Sequence, residues 1–537
     1  MALPAIAPAA ASSAGRLPNL AALCPWALAA ATAGLLILAF PPFNLSRLAL
    51  IALAPLLWAI VVVERSTTAT LLGWLAGALF YYGTSWWATY SLIAYGQIPT
   101  LAAHLLIFIA AWIAALPTAL FAWGAHLATR RDAALGWWLV PAWWCASECI
   151  RGEVLAFGWN PLANAVAFEP WLARAAALGG HRLVGAMLAA AATGVAYAGW
   201  SRRHPRRAAA GLVAAALALA VPALAAAALT PPASAESAAS AMAALTVVAA
   251  QPCAPQGAAR ADEYACAYAR QRALAAEGLR QASPETVRLV AFPESQLAPD
   301  LSAPNAEADF LPLLGAGAYV LTNATRPVGD GFANAAVLYA PNGRLAEYQK
   351  THLMPFGEYV PLGRYLPFKL PTLATEAVPG ARVETLPMNA DIRLGVGICF
   401  ESTFPSLHRT FRRQGANVLV NLANDGWFGP TPGSEQHLRH LVYRAIETGC
   451  PIVRVTNDGV SALLDANGRL RDVIPKNQPD ARAWTVAPAS PETTPYVVAG
   501  DWFEWSCLAA VGGALLWTLW RRIRFYAGAV ADLVAGE

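Results

Sequence analysis

Charge is the scarcest property of this sequence. Asp, Glu, Lys and Arg make up 13% of its 537 residues and hydrophobic residues 57%, where a typical soluble domain is about 25% charged. The apolar excess is uneven, so the average hides two different regions. The formal net charge of +4 is too small to argue for a nucleic-acid partner, and the basic residues cluster in short loops beside apolar runs. No CxxC pair occurs among the eight cysteines, which leaves a zinc or thioredoxin-type reading without support. There is no metal-ligand cluster, no Gly-rich nucleotide loop and no internal repeat, so neither metal nor cofactor is expected. Cys145 and Cys149, four apart on a helix, read as structural thiols. Cys253 and Cys266 could pair if their region is extracytoplasmic, but sequence does not fix the geometry a disulfide needs.

Long apolar runs are what the chain has instead. Residues 1–19, rich in Ala, Pro and Ser, read as a disordered tail. Seven runs near the 20 or so apolar residues that cross a bilayer follow at about 20–40, 46–63, 68–92, 101–128, 134–150, 181–200 and 209–229, and an eighth at about 502–520. Because more spans follow in series, the first reads as a retained transmembrane helix and not as a signal peptide. Short basic segments at Arg65, Arg130-Arg131, Arg202 to Arg207 and Arg521 to Arg524 fall on one side of an eight-span bundle. Basic loops mark the cytoplasm. Both termini, including the tail 521–537, are therefore expected there, and Thr230 to Asp501 in the periplasm outside a bacterial inner membrane. The outer loop from Arg151 to His181 carries Phe157-Gly-Trp-Asn-Pro161. It reads either as an interfacial aromatic loop or, with Arg151, as the lining of a lipid-headgroup site.

From about 244 to 490 the texture changes to short β-type runs alternating with more polar helical stretches, which implies an α/β domain of layered sheets. The expected strands are Leu245–Ala249, Leu289–Phe292, Ala318–Thr322, Ala335–Tyr339, Leu394–Ile398, Val418–Leu422, Ile452–Val455 and Ala462–Leu464, and the expected helices Ala261–Ser283 and His437–Thr448. Three residues follow or end strands: Glu294 in Val290-Ala-Phe-Pro-Glu-Ser295, Lys350 in Tyr348-Gln-Lys-Thr-His352, and Cys399 in Gly395-Val-Gly-Ile-Cys-Phe-Glu401. A cysteine attacks as its thiolate, a carboxylate can take its proton, and an ammonium can hold the oxyanion of a tetrahedral intermediate. Each residue alone has a dull reading as a buried thiol, a turn residue or a surface charge. Their joint occurrence makes a nucleophile, its base and its cation.

Phe292-Pro-Glu-Ser295, Lys350-Thr-His-Leu353 and Gly397-Ile-Cys-Phe-Glu401 resemble the three signature segments of the nitrilase superfamily, the carbon–nitrogen hydrolases. The resemblance implies an α-β-β-α sandwich with Glu294 as general base, Lys350 as oxyanion cation and Cys399 as nucleophile. Glu358, in Pro355-Phe-Gly-Glu-Tyr-Val-Pro361, matches the family's second glutamate, and Glu401 takes a supporting role. The membrane branch of that superfamily, the apolipoprotein N-acyltransferases, is similar in finer detail: His352 to Pro361, Asn424-Asp-Gly-Trp-Phe-Gly429, Gln436-His437, Arg444 to Glu447 and Arg454-Val-Thr-Asn-Asp-Gly459. A nitrilase domain set between seven spans and one is itself characteristic of that branch. Two features depart from it. The chain has Gln251-Pro-Cys-Ala-Pro-Gln256 and then Arg260 where the family commonly shows a Trp, and Phe400 where Tyr is common.

The resemblance implies a two-step acyl transfer from a membrane phospholipid, through a thioester on Cys399, to the α-amine of the lipidated N-terminal cysteine of a diacylglyceryl apolipoprotein. Phospholipid, apolipoprotein and lipid bilayer are then the partners, nucleic acid is not, and the protein is a monomer. Phe400, Trp427, Phe428 and Arg151 are candidate substrate-binding residues; Trp427 and Phe428 read equally as a wall around the thioester or as core. Segments 295–317 and 359–385 are candidate lids. The alternatives are a membrane-tethered amidase or nitrilase, which would share the acyl-enzyme, and a non-catalytic lipoprotein-binding scaffold.

Overall fold

A computed structural model describes residues 20–131, 133–229, 244–257, 259–295, 297–303, 307–360 and 377–535. The expected tail at 1–19 and most of the second candidate lid lie outside the described residues, as do 296 and 304–306 of the first.

The N-terminal half is helical: α1 Leu20–Ala39, α2 Ala54–Val62, α3 Ser66–Ser85, α4 Ala88–Ala94, α5 Thr100–Ala114, α6 Leu116–Arg131, α7 Ala133–Cys149, α8 Pro170–Ala173, α9 Ala176–Trp200 and α10 Pro205–Leu229. Among the described residues four helices are long and apolar enough to cross a membrane: Thr100–Arg130, Ala176–Trp200, Pro205–Leu229 and Trp502–Ala527, with Cys24–Ala39 and Ser46–Val62 apolar but shorter. α9 is the central post and is mostly buried, whereas Pro205–Leu229 and Trp502–Ala527 leave most of their apolar surface uncovered by protein, as lipid-facing helices do.

Two expected runs are interrupted. The run 46–63 becomes a short 3-10 turn, Ser46–Leu50, followed by α2, which a proline in its first turn helps to start. Nine residues rise about 14 Å, roughly half the hydrocarbon thickness. The run 68–92 breaks between α3 and α4, because its second half is drawn toward the C-terminal domain. Trp87 Nε1 donates to Gln436 Oε1 at 2.9 Å, and Ser91 Oγ donates to the Trp427 carbonyl at 2.5 Å.

Among the described residues the second half holds twelve strands: β1 Leu245–Gln251, β2 Val287–Ala291, β3 Tyr319–Val328, β4 Gly331–Ala340, β5 Gly343–Gln349, β6 Leu386–Pro387, β7 Arg393–Ile398, β8 Val418–Ala423, β9 Ile452–Thr456, β10 Ser461–Leu464, β11 Leu470–Ile474 and β12 Asp480–Val486. They form two six-stranded sheets, ordered β12-β1-β2-β3-β4-β5 and β11-β10-β9-β8-β7-β6. Strands β1 to β3 run parallel, as do β7 to β9. Being covered on both faces, β1, β2, β7, β8 and β9 are mostly apolar, and all of β1 and β8 is buried. The sheets share one core, in which Val247 and Leu289 join Val396, Val420 and Val453.

Helices α11 Ala261–Gln281 and α12 Leu311–Gly315 cover the first sheet, packing on Val248, Val290 and Val337. Helices α13 Pro405–Arg413 and α14 Gly433–Thr448 cover the second. The expected α-β-β-α sandwich is present. Gly395 in β7 has a packing reason, since a Cβ there would lie 2.6 Å from Leu419 Cδ2 and 2.7 Å from Phe411 Cβ. Short α15 Pro495–Ala499 leads into α16 Trp502–Ala535, whose helix continues past residue 520. α14 is the hinge of the architecture: one side faces the sandwich and the other packs on α9.

Candidate active site

Strand β7 ends at Ile398 and the chain turns at once into a 3-10 helix, Cys399–Thr403. Cys399 makes the turn with φ +52°, a left-handed conformation that costs a residue with a side chain roughly 1 kcal/mol or more. Hydrogen bonds hold it there. Its carbonyl accepts from His437 Nε2 at 3.1 Å and from Asn421 Nδ2 at 3.4 Å. Because a carbonyl only accepts, His437 carries its proton on Nε2. Its Nδ1 lies 2.9 Å from Asp425 Oδ1 and 3.0 Å from Arg454 Nη2. Arg454 Nη2 also donates to both Asp425 oxygens, at 2.9 and 2.7 Å, and its Nη1 to Asn421 Oδ1 at 2.7 Å. Burial, and then Arg454, lower the pKa of His437 and favour this neutral form.

Glu401 braces the same turn from the other side. Its side chain is fully buried. Oε2 accepts the Ile398 N–H at 2.8 Å. Oε1 accepts from Tyr348 Oη at 2.7 Å and from the Thr351 and His352 N–H groups at 2.8 and 3.1 Å. Burial works to raise its pKa, but these donors, with His352, outweigh it and hold the carboxylate low. Glu401 thus pins the end of the Lys350 segment to the Cys399 turn.

The structure brings Glu294, Lys350, Cys399 and Glu358 together. The Cys399 thiol lies beside the Glu294 carboxylate, with the Asn424 N–H near its sulfur. Lys350 follows β5, with its side chain 1% exposed and Nζ 2.9 Å from Glu358 Oε1 and 3.6 Å from Glu294 Oε1. Burial alone would lower the lysine's pKa; Glu358 and Glu294 override it, so the ammonium is held charged. Burial raises Glu294, with Lys350 opposing and Glu358 adding to the rise. Burial and the neighbouring Glu294 charge raise the Cys399 thiol well above its usual range. The sulfur therefore rests as a thiol beside a carboxylate able to take its proton.

Asn334, on β4, had no place in the sequence reading. Its Nδ2 donates to Glu294 Oε1 at 2.8 Å and to Glu358 Oε1 at 3.2 Å, while its own Oδ1 accepts from Asn323 Nδ2 at 2.6 Å. It clamps the two glutamates on either side of Lys350. Asn421, Asp425 and Arg454 behind the cysteine were likewise without roles, although Asp425, Gln436-His437 and Arg454 lie in stretches that the family resemblance singled out.

The four candidate substrate residues lie along the seam with the helical half. Phe400 stacks on Trp159, with ring centroids 6.5 Å apart, and Phe428 packs against Trp87 at 4.7 Å. Trp427 meets Tyr95 at 5.1 Å. Arg151 is set apart from the Cys399 group. Its side chain is almost wholly buried, Nη1 donates to the Phe157 and Trp159 carbonyls at 2.6 Å each, and its guanidinium lies 5.0 Å from the Tyr81 ring centroid. It shapes the 157–161 loop that carries Trp159. Cys253 and Cys266 are both free thiols.

Comparison with known proteins divides the chain at the same place. Residues 32–194 match the family described as the apolipoprotein N-acyltransferase N-terminal domain, and residues 245–481 match the carbon-nitrogen hydrolase family. An apolipoprotein N-acyltransferase of Geobacter metallireducens is 38% identical over 181 residues, 33% of this chain and 34% of that relative. The match thus spans about a third of its length. One from Gloeobacter violaceus is 30% identical over 496 residues, covering 87% of this chain and 88% of the relative. Among solved structures, a CN-hydrolase superfamily protein from Xanthomonas campestris covers 46% of this chain and 91% of its own, at 21% identity and a TM-score of 0.35. A relative matched over nearly its whole length, with both halves assigned, places the chain in the apolipoprotein N-acyltransferase family.

Proposed function

We propose that this protein moves an acyl chain from a membrane phospholipid to the α-amine of the lipidated N-terminal cysteine of an apolipoprotein. Cys399 is the nucleophile. As its sulfur attacks the ester carbonyl, Glu294 takes the thiol proton and Lys350 with the Asn424 N–H faces the developing oxyanion. The C–O bond then breaks, the proton passes from Glu294 to the departing alcohol, and lysophospholipid leaves a thioester on Cys399. In the second half, the amine attacks the thioester, gives a proton to Glu294, and releases Cys399 as a thiol. The product is an amide, and no redox partner is needed.

In this reading eight spans carry the chain through a bacterial inner membrane. Residues 20–230 form seven spans and 502–520 the eighth, both termini are cytoplasmic, the domain at 244–490 is periplasmic, and the protein acts as a monomer. Several of the eight are short, so they would cross as a packed group rather than singly. The observation that carries the reading is the seam itself. The turn that holds Cys399 also holds Phe400, which stacks on Trp159 of the helical half. A thiol placed against an apolar wall shared with membrane helices suits acyl-chain substrates and keeps water from a thioester. A small soluble amide would need no such wall, which disfavours the hydrolase alternative.

The test is N-acylation of a diacylated lipopeptide by the purified protein in phospholipid micelles. Wild type should form the N-acyl product, and Cys399→Ala and Glu294→Gln should form none above background. Release of free fatty acid or ammonia with no acylated peptide would replace transfer by hydrolysis.

A further inference from the structure

The acyl-transfer chemistry asks one backbone group to be well aimed, the Asn424 N–H. Asn424 follows β8 and caps the 3-10 turn Asp425–Phe428, its Oδ1 accepting the Gly426 N–H at 3.2 Å. The next residue, Asp425, is tied to the cysteine through His437. His437 Nδ1 lies 2.9 Å from Asp425 Oδ1, and its Nε2 donates to the Cys399 carbonyl at 3.1 Å. One side of the turn is thus fixed to the nucleophile by the catalytic domain itself.

The other side is held by the helical half. Ser91 Oγ donates to the Trp427 carbonyl at 2.5 Å, and Tyr95 Oη donates to the Gly426 carbonyl at 3.1 Å. Both side chains come from one short stretch, α4 and the residue that ends it. That stretch also fits the turn in shape. The Tyr95 ring meets Trp427 edge-on, with centroids 5.1 Å apart. Tyr90 lies so close to Gly429 that a Cβ there would be 2.3 Å from its ring atoms. Gly429 has φ +59°, a conformation that glycine takes without strain. Gln436, Arg439, His440 and Tyr443 of α14 carry other bonds across the seam. The Ser91 and Tyr95 bonds differ, because they end on main-chain carbonyls within three residues of Asn424.

An oxyanion donor works by being in place before charge develops, and a small misplacement costs rate steeply. We propose that Ser91 and Tyr95 are positioning residues for the reaction: their hydroxyls hold the 425–428 turn so that the Asn424 N–H stays aimed at the oxyanion formed when Cys399 attacks a carbonyl. The helical half then completes the oxyanion contact, and acylation needs the seam closed at α4. The inference rests on the reading of Cys399 as an acyl carrier, and on neither the identity of the donor nor that of the acceptor.

The test follows acylation of full-length protein in detergent micelles by the p-nitrophenyl ester of a long-chain fatty acid, read as p-nitrophenol released in the first turnover. The C–S bond forms as the carbonyl electron pair moves to oxygen. That pair returns as the C–O bond breaks, p-nitrophenolate leaves, and the thiol proton passes to Glu294. Ser91→Ala and Tyr95→Phe each remove one hydroxyl oxygen. Each should lower the maximal acylation rate about tenfold and leave the half-saturating ester concentration unchanged. Ser91→Thr, which keeps the hydroxyl, should retain most of the wild-type rate. Alkylation of Cys399 by iodoacetamide, followed by peptide mass spectrometry, forms no oxyanion, so its rate should stay within about twofold of wild type in all three variants. A site that had only lost packing would lose both rates together. Wild-type acylation in both Ser91→Ala and Tyr95→Phe overturns the proposal, and so do parallel losses of acylation and alkylation. No release by wild type above Cys399→Ala would instead remove Cys399 as acyl carrier, and the positioning role with it.

Discussion

At the scale of single residues, the site is a partly buried thiol and carboxylate, with a charged lysine between two glutamates. The three groups proposed to react were legible because each follows or ends a strand in a short, distinctive segment. Asn334 was not legible. Its role arises from the pairing of β3 with β4, which sets Asn334 opposite Thr325 and brings Asn323 to its amide, and nothing in the local run Phe332-Ala-Asn-Ala-Ala336 announces it. Asn334→Ala should lower the acyl-transfer rate by roughly ten- to a hundredfold, the worth of a hydrogen bond to a charged group, and also lower the unfolding temperature, because Asn323 and the two carboxylates lose that partner.

The pH dependence follows from the shifts at the same groups. Glu294 is raised, so the acid limb of the rate profile should fall at a pH above the usual carboxylate value of about 4.3. Lys350 is also raised and should stay charged throughout the working range. An acid limb at or below pH ~4 would contradict the role of Glu294 as base. Glu401 has the opposite shift. Its depressed pKa contributes stability that is present above the unfolded value of about 4.3 and is lost as pH falls through the folded value. Glu401→Gln should destabilise the domain by about 3 kcal/mol at pH 7 and by much less in acid, read by thermal unfolding at both pH values.

At the scale of elements, β1, β2, β7, β8 and β9 were expected within two residues, because buried parallel strands are short apolar runs. By contrast, β3 runs six residues past Thr322 and β4 starts four before Ala335, which left Asn334 outside the expected strand. Four strands were missed: β6 is only the pair Leu386-Pro387, and β5, β11 and β12 are half-exposed and carry charges in Gly343-Arg-Leu-Ala-Glu-Tyr-Gln349, Leu470-Arg-Asp-Val-Ile474 and Asp480-Ala-Arg-Ala-Trp-Thr-Val486. α13 was missed for a related reason: four of its nine residues are His or Arg, and its apolar side is only Leu407 and Phe411. α14 was expected as a helix, but its surroundings were hidden. Nearly every residue is buried, His437, Arg439, His440, Arg444 and Glu447 among them, because it lies between a sheet and a helical bundle.

Gln436 is the keystone of that helix. Its Oε1 accepts from Trp87 Nε1, Trp159 Nε1 and Asn160 Nδ2 at 2.9, 2.9 and 3.0 Å, and its Nε2 donates to the Thr84 carbonyl at 2.9 Å. Gln436→Leu leaves three donors unpaired in the seam. It should cost about 2–4 kcal/mol and loosen the two halves, measured as lower thermal stability and faster hydrogen exchange at 84–91 and 157–164. Unchanged exchange there would mean that the seam is held by its aromatic contacts alone.

At the scale of the molecule, periodicity and composition separated a membrane half from a layered α/β half, and family matches fall on the same two regions. What composition could not supply was where apolar runs bend. The break between α3 and α4 is set by bonds to Gln436 and to the Trp427 carbonyl, hundreds of residues away in sequence. The eight-span topology predicts that cysteines introduced in the 202–207 loop react with impermeant reagents only from the cytoplasmic side, and one introduced at the exposed end of the β3–β4 hairpin, Gly329, only from the outer side. Labelling of both from one side would remove that topology.

The central claim is that Cys399 carries the acyl group between donor and acceptor. Intact-protein mass spectrometry after incubation with phospholipid alone, on wild type and Cys399→Ala, tests it most directly. The account predicts a wild-type adduct of fatty-acyl mass that hydroxylamine removes and that the alanine variant lacks. An equal adduct on the variant, or N-acylated lipopeptide produced by the variant at the wild-type rate, would contradict it.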